Sequence, residues 1–319
     1  MARRKQGNPV HGWLILDKPL EMTSTTAVAV VKRLLAAQKA GHAGTLDPLA
    51  TGILPIALGE ATKTVSYAVD GEKAYRFTVR WGAETTTDDT EGPVTQSSDK
   101  RPTIAGIEDH LKAFTGEIMQ VPPQFSAIKV DGNRAYDLAR EGETVALEAR
   151  PVIIDRLVVV DMPDDSTTVF EAECGKGTYV RAIARDLGRA MGCFGHVIAL
   201  RRTRVGPFSE DDAVTLAELE AAMKPPGDAD AALPPPGPFA AKIMLPVEAA
   251  LTNIAEIPVS ASDAATLARG QPVLIRGRDA PIHSGAAYAI CQGRIIAIGE
   301  IAQGALQPTR VFNLGSGPR

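Results

Sequence analysis

The chain has 319 residues, 45% of them apolar and 23% charged, with a formal net charge of −4. That length supports about two domains with a real core, and no apolar run approaches the ~18 residues of a membrane span. Three widely spaced cysteines, Cys174, Cys193 and Cys291, with no C-x-x-C pair, exclude a disulfide or zinc framework and imply a reducing, cytoplasmic setting; the five histidines show no ligand spacing either.

In chain order, Trp13 to Leu16 reads as a short strand, too brief an apolar run after the basic start of the chain for a signal peptide. A helix begins at Ser24, with Val28, Val31, Leu34 and Leu35 on one face and Lys32, Arg33 and Lys39 off it. A Gly-rich loop follows, then a buried-looking strand over Ile53–Leu58 and a short helix over Glu60–Val69. Ala74–Trp81 is a strand in which Tyr75, Phe77, Val79 and Trp81 alternate with Arg76, Thr78 and Arg80. Thr85–Gly92 is a polar turn, and Ile104, Ile107, Leu111 and Phe114 recur at helical spacing. Residues 120–150 open on Pro122-Pro123 and read as an irregular excursion from the core. Val152–Val160 and Thr167–Glu173 look like paired strands, Tyr179–Met191 a helix, and Val197–Val205 a strand ending in arginines. Six prolines within 224–238 mark a linker or surface insertion. Beyond it, roughly 255–314 forms a compact unit with a helix around Ser262–Arg269 and strands over Ala287–Cys291 and Arg294–Ile301, a small all-β or barrel-like domain. Strands outnumber helices without βαβ regularity, which predicts an α+β fold with a largely antiparallel mixed central sheet.

Charge is unevenly spread. From Lys176 to Gly206 seven basic residues (Lys176, Arg181, Arg185, Arg189, Arg201, Arg202, Arg204) face one acid, Asp186. Such a patch suits nucleic acid and a solvated helix face equally. Cys174-Gly-Lys-Gly-Thr178 lacks the spacing of a phosphate loop, and no Gly-x-Ser-x-Gly elbow exists, so neither nucleotide hydrolysis nor a serine hydrolase has support.

The most informative stretch is Gly41-His-Ala-Gly-Thr-Leu-Asp-Pro-Leu-Ala-Thr-Gly52. It offers one carboxylate, Asp47, and one imidazole, His42, among small residues, with Pro48 biasing Asp47 away from helical torsions. Asp-Pro is also a good N-cap followed by N1, but glycines at both ends leave little room for a helix worth capping.

With Leu16-Asp-Lys-Pro19, Tyr75 on its strand, Lys176-Gly-Thr-Tyr-Val-Arg181 and Gly195-His-Val-Ile-Ala-Leu-Arg201, this segment resembles the TruB-type family of bacterial tRNA pseudouridine-55 synthases. The likeness spans roughly residues 10–315 and lapses at the Pro-rich 224–238. It implies a pseudouridine synthase fold over residues 1–250, with an RNA-contacting excursion at 120–150, and a PUA-like RNA-binding domain over 255–315. It implies isomerisation of uridine 55 in the tRNA T-loop by base flipping and by an aspartate-dependent cleavage and re-formation of the glycosidic bond. Neither cofactor nor metal is needed, and a monomer working without guide RNA is expected. Asp47 would be the catalytic carboxylate, with Arg181 keeping it charged and aimed. Tyr75 would stack on the flipped uracil, though its strand also suits a core aromatic. Tyr179 and Leu200 would wall the pocket, with plain core packing the competing reading for Leu200. His42 would occupy the gap left by the extruded base, and Lys18 would support the site from behind. Arg201, Arg202, Arg204 and the 120–150 excursion would grip phosphates. An RNA-binding or tRNA-folding module with secondary catalysis is the alternative.

Overall fold

The computed structural model describes residues 7–126, 128–130, 133–134, 146–223, 242–275 and 284–315. The Pro-rich segment 224–238 lies outside the described residues, as does most of the 120–150 excursion beyond residue 126.

The chain runs through β1 (Gly12–Lys18), α1 (Ser24–Leu34), β2 (Ala40–His42), β3 (Ala50–Leu58), a 3-10 turn (Gly59–Lys63) and α2 (Val65–Asp70). It continues through β4 (Lys73–Trp81), β5 (Ala83–Thr85), β6 (Val94–Ser97), α3 (Ile104–Leu111), β7 (Gly116–Gln120), and the short pair β8 (Lys129–Val130) and β9 (Asn133–Arg134). Then come β10 (Arg150–Asp164), β11 (Thr167–Cys174), α4 (Val180–Met191), β12 (Gly195–Val205), β13 (Phe208–Ser209), β14 (Ala213–Thr215), α5 (Leu216–Met223) and β15 (Met244–Leu245). The remainder is β16 (Ala255–Pro258), α6 (Ala261–Ala268), β17 (Val273–Leu274), β18 (Gly285–Cys291), β19 (Arg294–Ala302) and β20 (Ala305–Val311).

Among the described residues the main sheet has eleven strands, in the order β14-β1-β3-β12-β4-β11-β10-β7, with β2, β13 and β15 paired at its side. Only β1–β14 and β3–β12 are parallel; the other pairs are antiparallel, giving the mixed, largely antiparallel α+β sheet expected. The predicted helix over Glu60–Val69 is in fact two pieces broken at Thr64, whose hydroxyl bonds Ala61 O and Val247 O instead of prolonging one helix.

The sheet is covered unequally, and the sequence patterns follow from that. In β1, Leu14 and Leu16 join a core with α1, α3 and α4, while Trp13 and Ile15 join a second cluster on the other face. Both faces being buried, β1 reads as an unbroken apolar run. In β4, Phe77, Val79 and Trp81 are buried while Arg76 and Arg80 are exposed, because only one face is covered there. The C-terminal residues form a five-stranded sheet, β16-β18-β19-β20-β17, with its own cluster of Ile257, Leu267, Ala289, Ile301 and Leu306. Tyr288, Ile295, Ile298 and Phe312 from this unit pack into the second cluster against Trp13 and Phe208, so the two sheets share a core. Among the described residues no helix is long and apolar enough to cross a membrane.

Candidate active site

Asp47 sits on the loop between β2 and β3, and no helix follows Pro48: Ala50 N–H bonds Asp47 O at 3.0 Å in a tight turn that leads straight into β3. The capping reading of Asp-Pro is thereby removed. Three side chains from distant elements shape the loop. Ser24 Oγ bonds both Leu46 N (2.8 Å) and Leu46 O (3.0 Å). Lys18, fully buried, donates to Pro19 O (2.9 Å), Met22 O (2.8 Å) and Pro48 O (3.4 Å). Burial pulls its pKa down to about 8, against the pull of Asp47, and the Arg202 charge adds to the lowering.

Arg202 is the third support, 1% exposed. It donates from Nε to Ile53 O (2.8 Å), from Nη2 to Gly44 O (3.0 Å) and from Nη1 to Thr45 O (3.4 Å). The expectation that Arg202 grips phosphate is corrected here: its guanidinium is spent on the underside of the Asp47 loop. Arg201 is held by Asp17 (3.0 and 2.9 Å) and Glu210 (2.6 Å), and Arg204 by Glu173 (2.8 Å) and Glu72 (3.5 Å). Lys176 pairs with Asp70 at 2.8 Å. The basic excess read from the sequence between Lys176 and Gly206 is thus balanced by acids brought in from elsewhere in the chain.

Arg181, 4% exposed, stands in the first turn of α4. Its Nη2 lies 2.8 Å from Asp47 Oδ2 and donates to Phe125 O (3.0 Å); its Nη1 donates to Thr87 O (2.8 Å) and lies 3.4 Å from Asp89 Oδ2. Asp89 is itself fixed by Thr87 Oγ1 (2.6 Å) and Glu91 N (2.9 Å). The Asp47 side chain remains 39% exposed, so a deeply buried cation orients a carboxylate that reaches solvent. Asp89 and Thr87 were not among the residues singled out from the sequence. The available signal was the shortage of acids near Arg181, which required a partner from another segment.

Tyr75 on β4 packs against the main core, and Tyr179 is the N-terminal flanking residue of α4. Gln120 clamps the Tyr179 backbone twice, Oε1 accepting from its N–H (2.8 Å) and Nε2 donating to its carbonyl (3.2 Å). Burial raises both phenol pKa values; at Tyr75 the Arg202 charge opposes the rise, and the Asp47 charge adds to it at both. Leu200 is buried beside Phe77 in register and also borders a cleft of about 540 Å³ lined by Leu20, Leu49, Thr51, Arg76 and Arg201. His42 is half-buried; burial, then the Arg202 charge, lowers its pKa, and its buried Nδ1 has no hydrogen-bond partner among the described residues.

Residues 32–180 match the model of the TruB family pseudouridylate synthase N-terminal domain, and residues 181–252 that of the tRNA pseudouridylate synthase B C-terminal domain. A tRNA pseudouridine synthase B of Rhodopseudomonas palustris is 58% identical over 311 residues, covering 98% of this chain and 83% of that protein. One of Brucella melitensis is 55% identical over 324 residues, covering 99% and 100%. Among solved structures, a chain in a Cbf5-Nop10-Gar1 complex superposes with a TM-score of 0.70 at 25% identity, covering 95% of this chain and 84% of that one. A chain in an H/ACA RNP bound to a substrate RNA gives 0.72 at 24% identity, covering 98% and 92%, a likeness of fold. Sequence identity over nearly the whole length places this chain in the TruB family of pseudouridylate synthases.

Proposed function

We propose that this pseudouridine synthase isomerises uridine 55 in the T-loop of tRNA, acting as a monomer in the cytoplasm without cofactor or guide RNA. The observation that carries the reading is the Asp47–Arg181 pair at 2.8 Å, with the carboxylate partly exposed to solvent and the guanidinium buried. The target uridine is extruded from its stack at a cost of a few kcal/mol. Stacking on Tyr75 returns about 1–3 kcal/mol. Tyr179 and Leu200 close the sides of the pocket, and His42, at the head of the loop, fills the space the base vacates.

Asp47 acts on the uridine while Arg181 keeps its carboxylate oxygens in one orientation. The base detaches at N1, turns and rejoins through C5, with no net redox change. Because Thr87 O, Phe125 O and Asp89 fix the guanidinium, the pair reorganises little as charge develops. Residues 255–315 are read as a PUA-like domain that contacts RNA, and residues 1–250 as the catalytic domain. Support for a guide-free enzyme comes from relatives at 55–58% identity, against 24–25% for the chains seen in multi-component complexes.

The test is pseudouridine mapping in an unmodified tRNA transcript incubated with purified protein alone. Wild type forms one pseudouridine in the T-loop, and Asp47→Asn forms none while still binding the transcript. Full activity in Asp47→Asn would remove the catalytic assignment. The alternative, an RNA-folding module, predicts that the two proteins refold tRNA equally well and differ in nothing else.

A further inference from the structure

Helix α4 carries arginines at three successive turns, Arg181, Arg185 and Arg189, and the segment from β5 into the following turn answers them in reverse order. Asp89 meets Arg181 at 3.4 Å, Asp88 meets Arg185 at 2.9 Å, and Glu84 meets Arg189 through two bonds of 2.6 and 2.7 Å. The proposed chemistry uses the first rung alone. The second, like the first, is buried on both sides, with Asp88 5% and Arg185 6% exposed. Arg185 also bonds the Asp186 carboxylate (2.8 and 3.1 Å) and Val121 O (2.7 Å).

Two observations tie this rung to the site. Asp88 lies between Thr87 and Asp89, the two residues of this turn that hold Arg181, and its φ of +61° is a left-handed conformation that an L residue adopts at a cost. In that conformation its carboxylate meets Arg185 and its carbonyl accepts from Val197 N (3.0 Å). Second, Arg185 joins the same two segments as Arg181, one helical turn further on. Arg181 bridges Thr87 and Phe125, and Arg185 bridges Asp88 and Val121.

We propose that the Asp88–Arg185 ion pair is a positioning device for the catalytic pair, holding the 86–92 turn and the 121–125 segment where they aim Arg181 at Asp47. It rests on the assignment of Asp47 and Arg181 made above. Stability does not account for the charge on Asp88. Burial pushes its carboxyl up to about 6, with Arg185 and Arg181 opposing and Glu84 reinforcing the shift; Asp186 and Arg189 are the other charges facing Arg185. A folded value above the ordinary 3.8 means that the native state binds more proton between the two values. The stabilising contribution is therefore complete below the lower value and lost as pH rises through the upper one. Above that, the carboxylate is held at a cost to stability.

The experiment compares wild type with Asp88→Asn on a tRNA transcript. In the variant kcat falls about tenfold, in line with slight misaiming of a catalytic group, while KM stays within about twofold and Tm under mildly alkaline conditions is no lower than wild type. The wild-type kcat falls with acid between about pH 7 and 5 as Asp88 takes up its proton, and this limb is absent from Asp88→Asn. Arg185→Lys recovers part of the rate, and Asp88→Asn costs nothing further in an Arg185→Met background. A wild-type kcat and pH profile in Asp88→Asn overturns the proposal, as does a loss of rate that tracks a lower Tm. An inactive wild type or an active Asp47→Asn overturns the underlying assignment instead, since both proteins retain Asp88.

Discussion

Arg202 carries a positive charge into the interior, where no carboxylate among the described residues forms an ion pair with it, and burial pulls its pKa down. What holds it there is a set of carbonyls: three from the Gly44–Ile53 stretch accept its protons. Replacing it with Met leaves those acceptors unpaired, each costing about 1–3 kcal/mol. Arg202→Met is therefore expected to lose roughly 3 kcal/mol or more in urea unfolding, with pseudouridine formation falling further than stability alone explains. Arg201–Arg202 as a pair invited a phosphate reading, yet strand parity already distinguished them. Residues two apart share a face, so Arg202 goes with Leu200 and Arg201 with the opposite side. Asp89 was not legible in this way, because nothing local in the sequence links it to Arg181, 92 positions later by their numbering.

At the scale of elements, the loop that carries Asp47 lies against β12. Gly52 has φ +95°, and a Cβ there would come 2.2 Å from Arg202 O. Gly52→Ala must push β3 and β12 apart or change that torsion, and a destabilisation of about 2–4 kcal/mol is expected. Denaturant unfolding measures it; an unchanged midpoint would mean that the strands part freely. The glycine spacing was visible in the sequence as a loop signal, but the closely approaching backbone was not, since β12 arrives about 150 residues later. Helices α1 and α4 were readable because their own residues specify them. Thr23 caps α1 through Thr26 N, and Gly192 closes α4 with φ +68°. What Ser24 does was hidden by its position: it resembles a cap and instead bridges both backbone groups of Leu46.

For the whole molecule, the charge pairing changes where RNA affinity resides. Each of the seven basic residues between Lys176 and Gly206 except Arg202 meets at least one carboxylate. A residue contacting phosphate contributes about 0.7–0.9 to the slope of log K against log salt. Arg204→Gln is expected to change that slope by well under this amount in tRNA binding titrated with KCl; a full unit of change would restore it as a phosphate contact. The two sheets are also joined firmly. Lys63 bonds Val311 O (2.7 Å) and lies 5.5 Å from the Phe312 ring centre, while Asn313 N bonds Glu60 (2.8 Å). The Pro-rich stretch suggested a break between two units, yet Trp13 and Phe312, from opposite sides of it, fall in one buried cluster and belong to runs that looked complete by themselves.

The placement of β12 between β3 and β4 has a consequence in time. The Asp47 loop is complete early in the chain, but its supporting guanidinium is 149 residues away from Ile53. Contacts of such separation form slowly, because loop closure must be overcome before they stabilise anything. A nascent chain carries its acid long before it carries the arginine that braces the loop beneath it. The loop gains that brace with the insertion of β12, the same event that joins β3 to β4 within the sheet.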